Sequence, residues 1–279
     1  MILKRGKYIS PGLVGRRVQY TMALRLSLFL VALSTLTHGA VLKNGDTIPT
    51  YAKVCRRSQI DFNSCFRESL QIAIQKISKD GIRQLKVPSL DPWRVDKLTI
   101  NYGTGTPFKV SMHVKNSDVY GFSRLQILNV RSNFDDPEAI SMEIDFSNKK
   151  VFIEGDYNAE GLISDVPVLA SGKYNVSMSN VSGTLKIKGR IVKKSDGEEY
   201  LQVIRSNSRP DVGDMVISMT NENNKYPELH NLFLVLMNQF WKVMYEELLP
   251  YAEENFNEIL TPMFNMATFK IPFNQLIPQ

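Results

Sequence analysis

Few side chains in this sequence are equipped for bond-making chemistry. Downstream of residue 40 the histidines are His113 and His230 and the cysteines are Cys55 and Cys65. His113 shares strand parity with Lys109 and Lys115, which assigns it to a wet face. His230 opens a long apolar helical stretch and reads as either a surface residue or a polar contact at a tunnel mouth, the surface reading being favoured. No Gly-x-Ser-x-Gly elbow, no His-Glu-x-x-His motif and no further His or Cys cluster of zinc-ligand spacing occurs. Gly103-Thr-Gly105 is a fragment of a glycine-rich loop, but strand pattern follows it and Pro107 intervenes, so it reads as a turn. The acidic pairs Asp135-Asp136, Glu198-Glu199 and Glu253-Glu254 lie in polar stretches and read as solvated faces. The residues nominate no catalytic group, no metal ligand and no cofactor, and the expectation is a protein that is not an enzyme.

The charge balance narrows the partners. The chain of 279 residues carries a net charge of +6. Lys4, Arg5, Lys7, Arg16, Arg17 and Arg25 account for all of it, because residues 1–40 hold no acidic group and the remainder is neutral. A phosphate-binding surface needs an excess of Lys and Arg, so nucleic acid is not an expected partner. The same leader places an apolar run, Leu24 to Leu36, between a basic stretch and the small residues Gly39 and Ala40, the pattern of a secretory signal. That run is short of the roughly 20 residues that span a bilayer, so no stable membrane insertion is expected. Met22 offers an alternative start. The organisation expected is a signal peptide at 1–40 and one domain at 41–279, secreted to haemolymph or another extracellular fluid. In an oxidising compartment Cys55 and Cys65 have only each other to pair with. Two sequons, Asn175-Val-Ser177 and Asn180-Val-Ser182, fit that compartment as glycosylation sites. Five residues apart, they fall on opposite faces of a continuous strand, so the strand must break between them or face water on both sides.

Hydrophobic periodicity supplies the scaffold. Ser64 to Ile77 repeats apolar residues at helical spacing and closes at Asp80-Gly81. From about Lys97 to Thr220 the period becomes two: Phe108, Val110, Met112 and Val114, then Ile140, Met142, Ile144 and Phe146, then Leu185, Ile187 and Ile191, then Met215, Ile217 and Met219. This is an antiparallel meander with one apolar face, punctuated by turn signals at Gly103-Thr-Gly105, Asp135-Asp-Pro137, Asn148-Lys-Lys and Ser195-Asp-Gly197. Leu229 to Leu249 then makes a wide apolar helical stripe, started by Pro227 and ended or kinked at Pro250, with a further helical stretch from Phe256 to Phe264. His230, Asn231 and Asn238 read as polar interruptions of that stripe. The fold class expected is α+β, a strongly curved antiparallel sheet wrapped around a long C-terminal helix.

Four segments then carry a resemblance. The pair Cys55 and Cys65, DGIRQLKVPSLDPWRVDKLTI (Asp80 to Ile100), VPVLASGKYNVSMSNVSGTLKIKG (Val166 to Gly189), and LHNLFLVLMNQFWKVMYEELLP (Leu229 to Pro250) followed by FKIPFNQLIP (Phe269 to Pro278) occur in order. Together they resemble the takeout and juvenile-hormone-binding protein family of insects across the mature chain. No cysteine follows Cys65, where hormone-binding members carry a second disulfide, so the resemblance is to the takeout-like branch. It implies an elongated, TULIP-like fold with an internal tunnel, a soluble extracellular carrier of a terpenoid hormone, fatty acid or similar lipid, and themes of feeding, circadian output and chemosensation.

The lining expected for such a tunnel is Phe108, Val110, Met112, Val114, Ile140, Met142, Ile144 and Phe146 from the sheet. The helix would add Phe233, Met237, Phe240, Trp241 and Met244. Met and Phe surfaces adapt to irregular apolar ligands. The rival expectation is an extracellular interaction protein with an unidentified cell-surface receptor, or a membrane lipid-exchange protein, whose apolar interior is only core.

Overall fold

The computed structural model describes residues 53–105, 108–163, 166–223 and 227–279; the leader expected at 1–40 lies outside them. Cys55 and Cys65 are disulfide-bonded, with Cα atoms 5.9 Å apart. Helix α1 (Phe62–Asp80) repeats Phe62, Phe66, Leu70 and Ile74 at i, i+4 spacing, so a single face is apolar and packs on the sheet. Gly81 ends the helix in left-handed backbone at φ +64, a region open to glycine.

Seven strands follow: β1 (Trp93–Gly105), β2 (Phe108–Tyr120), β3 (Gln126–Asn133), β4 (Ile140–Ile163), β5 (Val166–Lys193), β6 (Glu199–Ser208) and β7 (Asp214–Met219). They form one antiparallel, strongly curled half-barrel in the order β1-β2-β4-β5-β6, with β3 on the edge of β4 and β7 on the edge of β5. Strands β4 and β5 make a continuous spine from Ile140↔Gly189 to Ile163↔Val166.

The spine bends where the sequence reads as a turn. Asn148-Lys-Lys is not a turn: it lies inside β4. Inward residues are even-numbered up to Asn148 and odd-numbered from Val151, while Lys149 and Lys150 are both exposed. On β5, inward Tyr174, Val176 and Met178 give way to Val181, and Asn180 between them sits at φ +53. Each strand inserts one residue, the ladder skips Lys149 and Asn180, and both continue with reversed parity. The bend also answers the sequon conflict, because exposed Asn180 now shares the outer face with Asn175.

After β7 the chain forms α2 (Pro227–Gln239), α3 (Trp241–Thr268) and the short α4 (Phe273–Leu276). The expected break at Pro250 does not occur there: Pro250 and Pro262 lie inside α3, and the interruption is at Phe240. Side-chain amides explain the position. Asn238 is bonded to β7 and Asn265 to β6, so the helix must redirect between two strands that occupy different stretches of β5. The tail returns to the disulfide, where Phe273 and Ile277 join Cys55, Phe62 and Phe134 and the Arg57 N–H donates to the Pro278 carbonyl at 2.8 Å.

Candidate functional site

The inner face of the sheet divides into two unlike halves. Over β3, the first half of β4, the second half of β5 and β6, helices fill it. Phe66, Leu70 and Ile74 of α1 and Phe264 of α3 pack against Val130, Met142, Ile144, Ile187 and Val203. The disulfide cluster, with Ile140, Leu201 and Phe273, plugs the end beyond them. At the rim of this half a cleft of about 340 Å³ opens between α1 and β3, lined by Arg67, Gln71, Gln75, Gln126, Ile127 and Leu128.

The other half is covered differently. Val114, Tyr157 and Ala159 are buried with Leu98, Met112, Ala170, Tyr174 and Met219, and every member of that cluster comes from a strand. Trp241 and Tyr245 cover only the neighbouring patch of Val176, Met178, Met215 and Ile217. A cleft of about 280 Å³ opens beside it between β1 and α3, lined by Lys97, Leu98, Thr99, Glu258 and Ile259. This half is an apolar trough bordered by α3, with Trp241 and Tyr245 on one side and Glu258 and Ile259 on the other.

Two polar features enter the trough wall. The Tyr157 hydroxyl donates to the Thr220 carbonyl at 2.7 Å. The Tyr174 hydroxyl lies 2.8 Å from Ser117 Oγ, and burial pushes the Tyr174 hydroxyl above the usual phenol range, which keeps it neutral.

Helices are held over the sheet edges by amides that the sequence reading missed. On α1, Gln71 accepts from the Ile127 N–H at 2.7 Å and donates to the Leu125 carbonyl at 3.0 Å, on β3's edge. On α2, Asn238 accepts from the Ile217 N–H and donates to the Ile217 carbonyl, both at 2.8 Å, on β7. On α3, Asn265 accepts from the Val203 N–H at 2.9 Å and donates to the Val203 carbonyl at 2.8 Å, on β6. Asn257 and Thr261, two turns and one turn earlier, bond Ser206. The signal available in the sequence was the i, i+4, i+8 repeat of Asn257, Thr261 and Asn265 alongside the apolar stripe. Of the two readings of His230, the polar contact is the one present: half-buried, it donates from Nε2 to the Met219 carbonyl at 3.0 Å. His113 is on the outer face, 3.0 Å from Thr99 Oγ1.

The residues expected to line a tunnel are therefore divided. Val110, Met112 and Val114 lie on the trough strands. Phe146 and Trp241 pack beside it, Met237 is buried and Met244 half-buried. Ile140, Met142 and Ile144 belong to the filled half. Phe233 and Phe240 are 42% and 51% exposed. Phe108 begins β2, and its side chain is outside the described part. Among the described residues no three His, Cys, Asp or Glu converge to hold a metal, and no helix is long and apolar enough to cross a membrane.

A family model described as haemolymph juvenile hormone binding protein (JHBP) matches residues 28–278. The chain belongs to that family. It is 20% identical over 252 residues to the circadian clock-controlled protein daywake of Drosophila melanogaster, covering 89% of this chain and 96% of that relative. Daywake of Drosophila yakuba is 21% identical over 263 residues, covering 92% and 98%. Among solved structures, Epiphyas postvittana Takeout 1 superposes with a TM-score of 0.67 at 20% identity, covering 81% of this chain and all of that one. The likeness to Takeout 1 establishes the curled-sheet fold, and membership in the JHBP family fits an apolar interior.

Proposed function

We propose that this JHBP-family chain is a secreted carrier that holds an elongated apolar small molecule in the trough of β1, β2, β4 and β5. The observation that carries the reading is the cluster around Val114, Tyr157 and Ala159, an apolar wall whose described members all come from strands. Val110, Met112, Val114, Met237, Trp241 and Met244 are the members of the expected lining that this placement favours. Burying about 400 Å² of ligand at roughly 25 cal/mol per Å² gives about 10 kcal/mol gross. Loss of ligand freedom removes several kcal/mol of that, which leaves micromolar to nanomolar affinity. The described wall residues are uncharged, which assigns selectivity to shape and to a few hydroxyls.

The test is native mass spectrometry of protein secreted from insect cells, with organic extraction and uptake of a neutral long-chain fluorescent probe. A stoichiometric passenger or saturable uptake supports carriage; an empty protein that takes up no probe refutes it. Secretion itself, and glycans on Asn175 and Asn180, are read in the same preparation from the mature N-terminus and from a mass shift on glycosidase treatment.

A second reading, transfer of lipid at a membrane, is favoured by the run of exposed apolar residues Leu232, Phe233, Val235, Leu236 and Phe240 on and after α2. Co-flotation with phosphatidylcholine vesicles, abolished in Phe233→Asp, would support it over simple carriage.

A further inference from the structure

Three local departures from regular structure converge on one pair of hydroxyls. Along β2 the inward residues are Val110, Met112 and Val114; Asn116 then takes left-handed backbone at φ +51, the pairing to β4 shifts between Lys115 and Asp118, and Ser117 turns inward, 3% exposed. Opposite it on β4 stands Gly155, where an added Cβ would lie 2.8 Å from Ser117 Oγ and 3.0 Å from the Lys115 carbonyl. Only the missing side chain leaves space for the serine hydroxyl. Tyr174 pairs with Gly155 from β5 and reaches across it to bring its hydroxyl 2.8 Å from Ser117 Oγ.

The hydrogen-bond inventory of this pair is incomplete. Each hydroxyl has one proton and two acceptor sites, and the contact between them consumes one proton. Ser117 Oγ also stands 3.5 Å from the Lys115 carbonyl, a weak contact. When Ser117 donates there, Tyr174 donates to Ser117 and keeps free acceptor sites; when Ser117 donates to Tyr174, the phenol proton is free. The pair can thus serve a carbonyl or a hydroxyl without any change of charge.

Among the described residues the inner face around the pair carries no compensating cation. Inward positions of the trough are Leu98, Ile100, Val110, Met112, Val114, Tyr157, Ala159, Ala170 and Met219, all uncharged. His230 commits Nε2 to the Met219 carbonyl, and Lys97 lies at the cleft rim beside Glu258. A buried carboxylate without a paired cation is strongly disfavoured.

We infer that Ser117 and Tyr174 form the polar station of the trough and select ligands that end in a neutral oxygen group (alcohol, ester or ketone) over long-chain carboxylates. The inference rests on the carrier reading and specifies its ligand class. The experiment is competition against a neutral fluorescent probe on the delipidated secreted protein at pH 8, using methyl palmitate, cetyl alcohol, palmitate and hexadecane. The two neutral oxygen compounds should displace the probe at least roughly tenfold better than palmitate. Tyr174→Phe should erase most of their advantage over hexadecane, a loss of about five- to tenfold, while the affinity for hexadecane is unchanged. A pair that only ties β2 to β5 would move the melting temperature and leave those ratios alone. Should Tyr174→Phe not fold, Ser117→Ala carries the same comparison. Palmitate binding as tightly as its methyl ester, or ratios unmoved in both variants, overturns the station while carriage stands. Uptake of neither probe nor hexadecane by the unmodified protein overturns carriage and the station with it.

Discussion

Asn265 pairs with the backbone of Val203 as a neighbouring strand would. Its amide satisfies both the N–H and the carbonyl of one residue, at 2.9 and 2.8 Å, on the β6 edge beneath α3. Replacing it with Leu keeps the volume and removes both bonds. Two neutral hydrogen bonds are worth about 1 kcal/mol each, and Val203 is buried, so its stranded N–H and carbonyl add a desolvation cost; the total is about 2–4 kcal/mol. For a chain of this size each kcal/mol moves the midpoint by roughly 2–4 °C, so Asn265→Leu should melt about 5–15 °C lower by far-ultraviolet circular dichroism. Asn265→Asp should be no better, because it retains an acceptor for the Val203 N–H but turns a carboxylate toward the Val203 carbonyl.

Asn238 makes the same pair of bonds to Ile217, yet should cost less. Its helix is flanked by exposed Leu232, Val235 and Leu236, so water can reach the stranded groups. Asn238→Leu is expected to cost about 1 kcal/mol. Amide hydrogen exchange at Val203 decides the mechanism. A change below about 0.5 kcal/mol in Asn265→Leu, with Val203 protection intact, would show that the edge is satisfied otherwise and refute the clamp.

Other perturbations follow from the same structure. Met142→Ala, in the filled half, should cost about 2–5 kcal/mol in urea unfolding and leave probe uptake unchanged, whereas Met112→Trp should block uptake with a smaller effect on folding. Lys194 lies 3.7 Å over the Tyr200 ring and 3.9 Å over the Phe269 ring and donates to the Phe269 carbonyl at the end of α3; Lys194→Met should lose about 1–3 kcal/mol by thermal melting. Burial raises the Asp91 carboxyl, but hydrogen bonds from the Ser123 hydroxyl and from the Gly121 and Ser123 N–H groups outweigh it, so the folded value is below the unfolded one of about 3.9. Its stabilisation is complete above that value and fades as pH falls through the folded one. Asp91→Asn should therefore be destabilised at pH 7, and its deficit against the unmodified protein should shrink in melts taken toward pH 3.

The alternation of Ile140, Met142, Ile144 and Phe146 was enough to place those residues on the inner face, because period two encodes a face directly. It was silent on what covers that face, because residues packed under helices and residues of the strand-only cluster share the same alternation. Helix α1 and the antiparallel meander were legible for the same reason, and the two cysteines fixed the disulfide by elimination. The bend at Lys149 and Asn180 was not, since an inserted residue breaks the very periodicity used to read a strand; Asn148-Lys-Lys then looks like a turn. The partner of Asn238 was not legible, because a lone polar residue in an apolar stripe has the same sequence signature whether it faces water or a strand edge. That difference lies in β7, twenty-one residues away, and local pattern does not contain it.

Attachment through edge amides changes what the interior must do. A helix docked on a sheet ordinarily owes its position to apolar burial, and burial on that scale fills the space between the two layers. Here β3, β6 and β7 each offer backbone groups at an edge, and Gln71, Asn265 and Asn238 take them. Bonds of that kind fix a helix along a line at the rim without requiring its side chains to meet the wall opposite. Helix α2 illustrates the consequence: His230 and Asn238 hold it to β7 while Leu232, Phe233, Val235 and Leu236 remain exposed. The start of α3 continues along the same edge, where Trp241 and Tyr245 pack on Val176, Met178, Met215 and Ile217. Filled core at one end then supplies the stability, and rim attachment at the other leaves the strand-only cluster of Val114, Tyr157 and Ala159 with no described helix member.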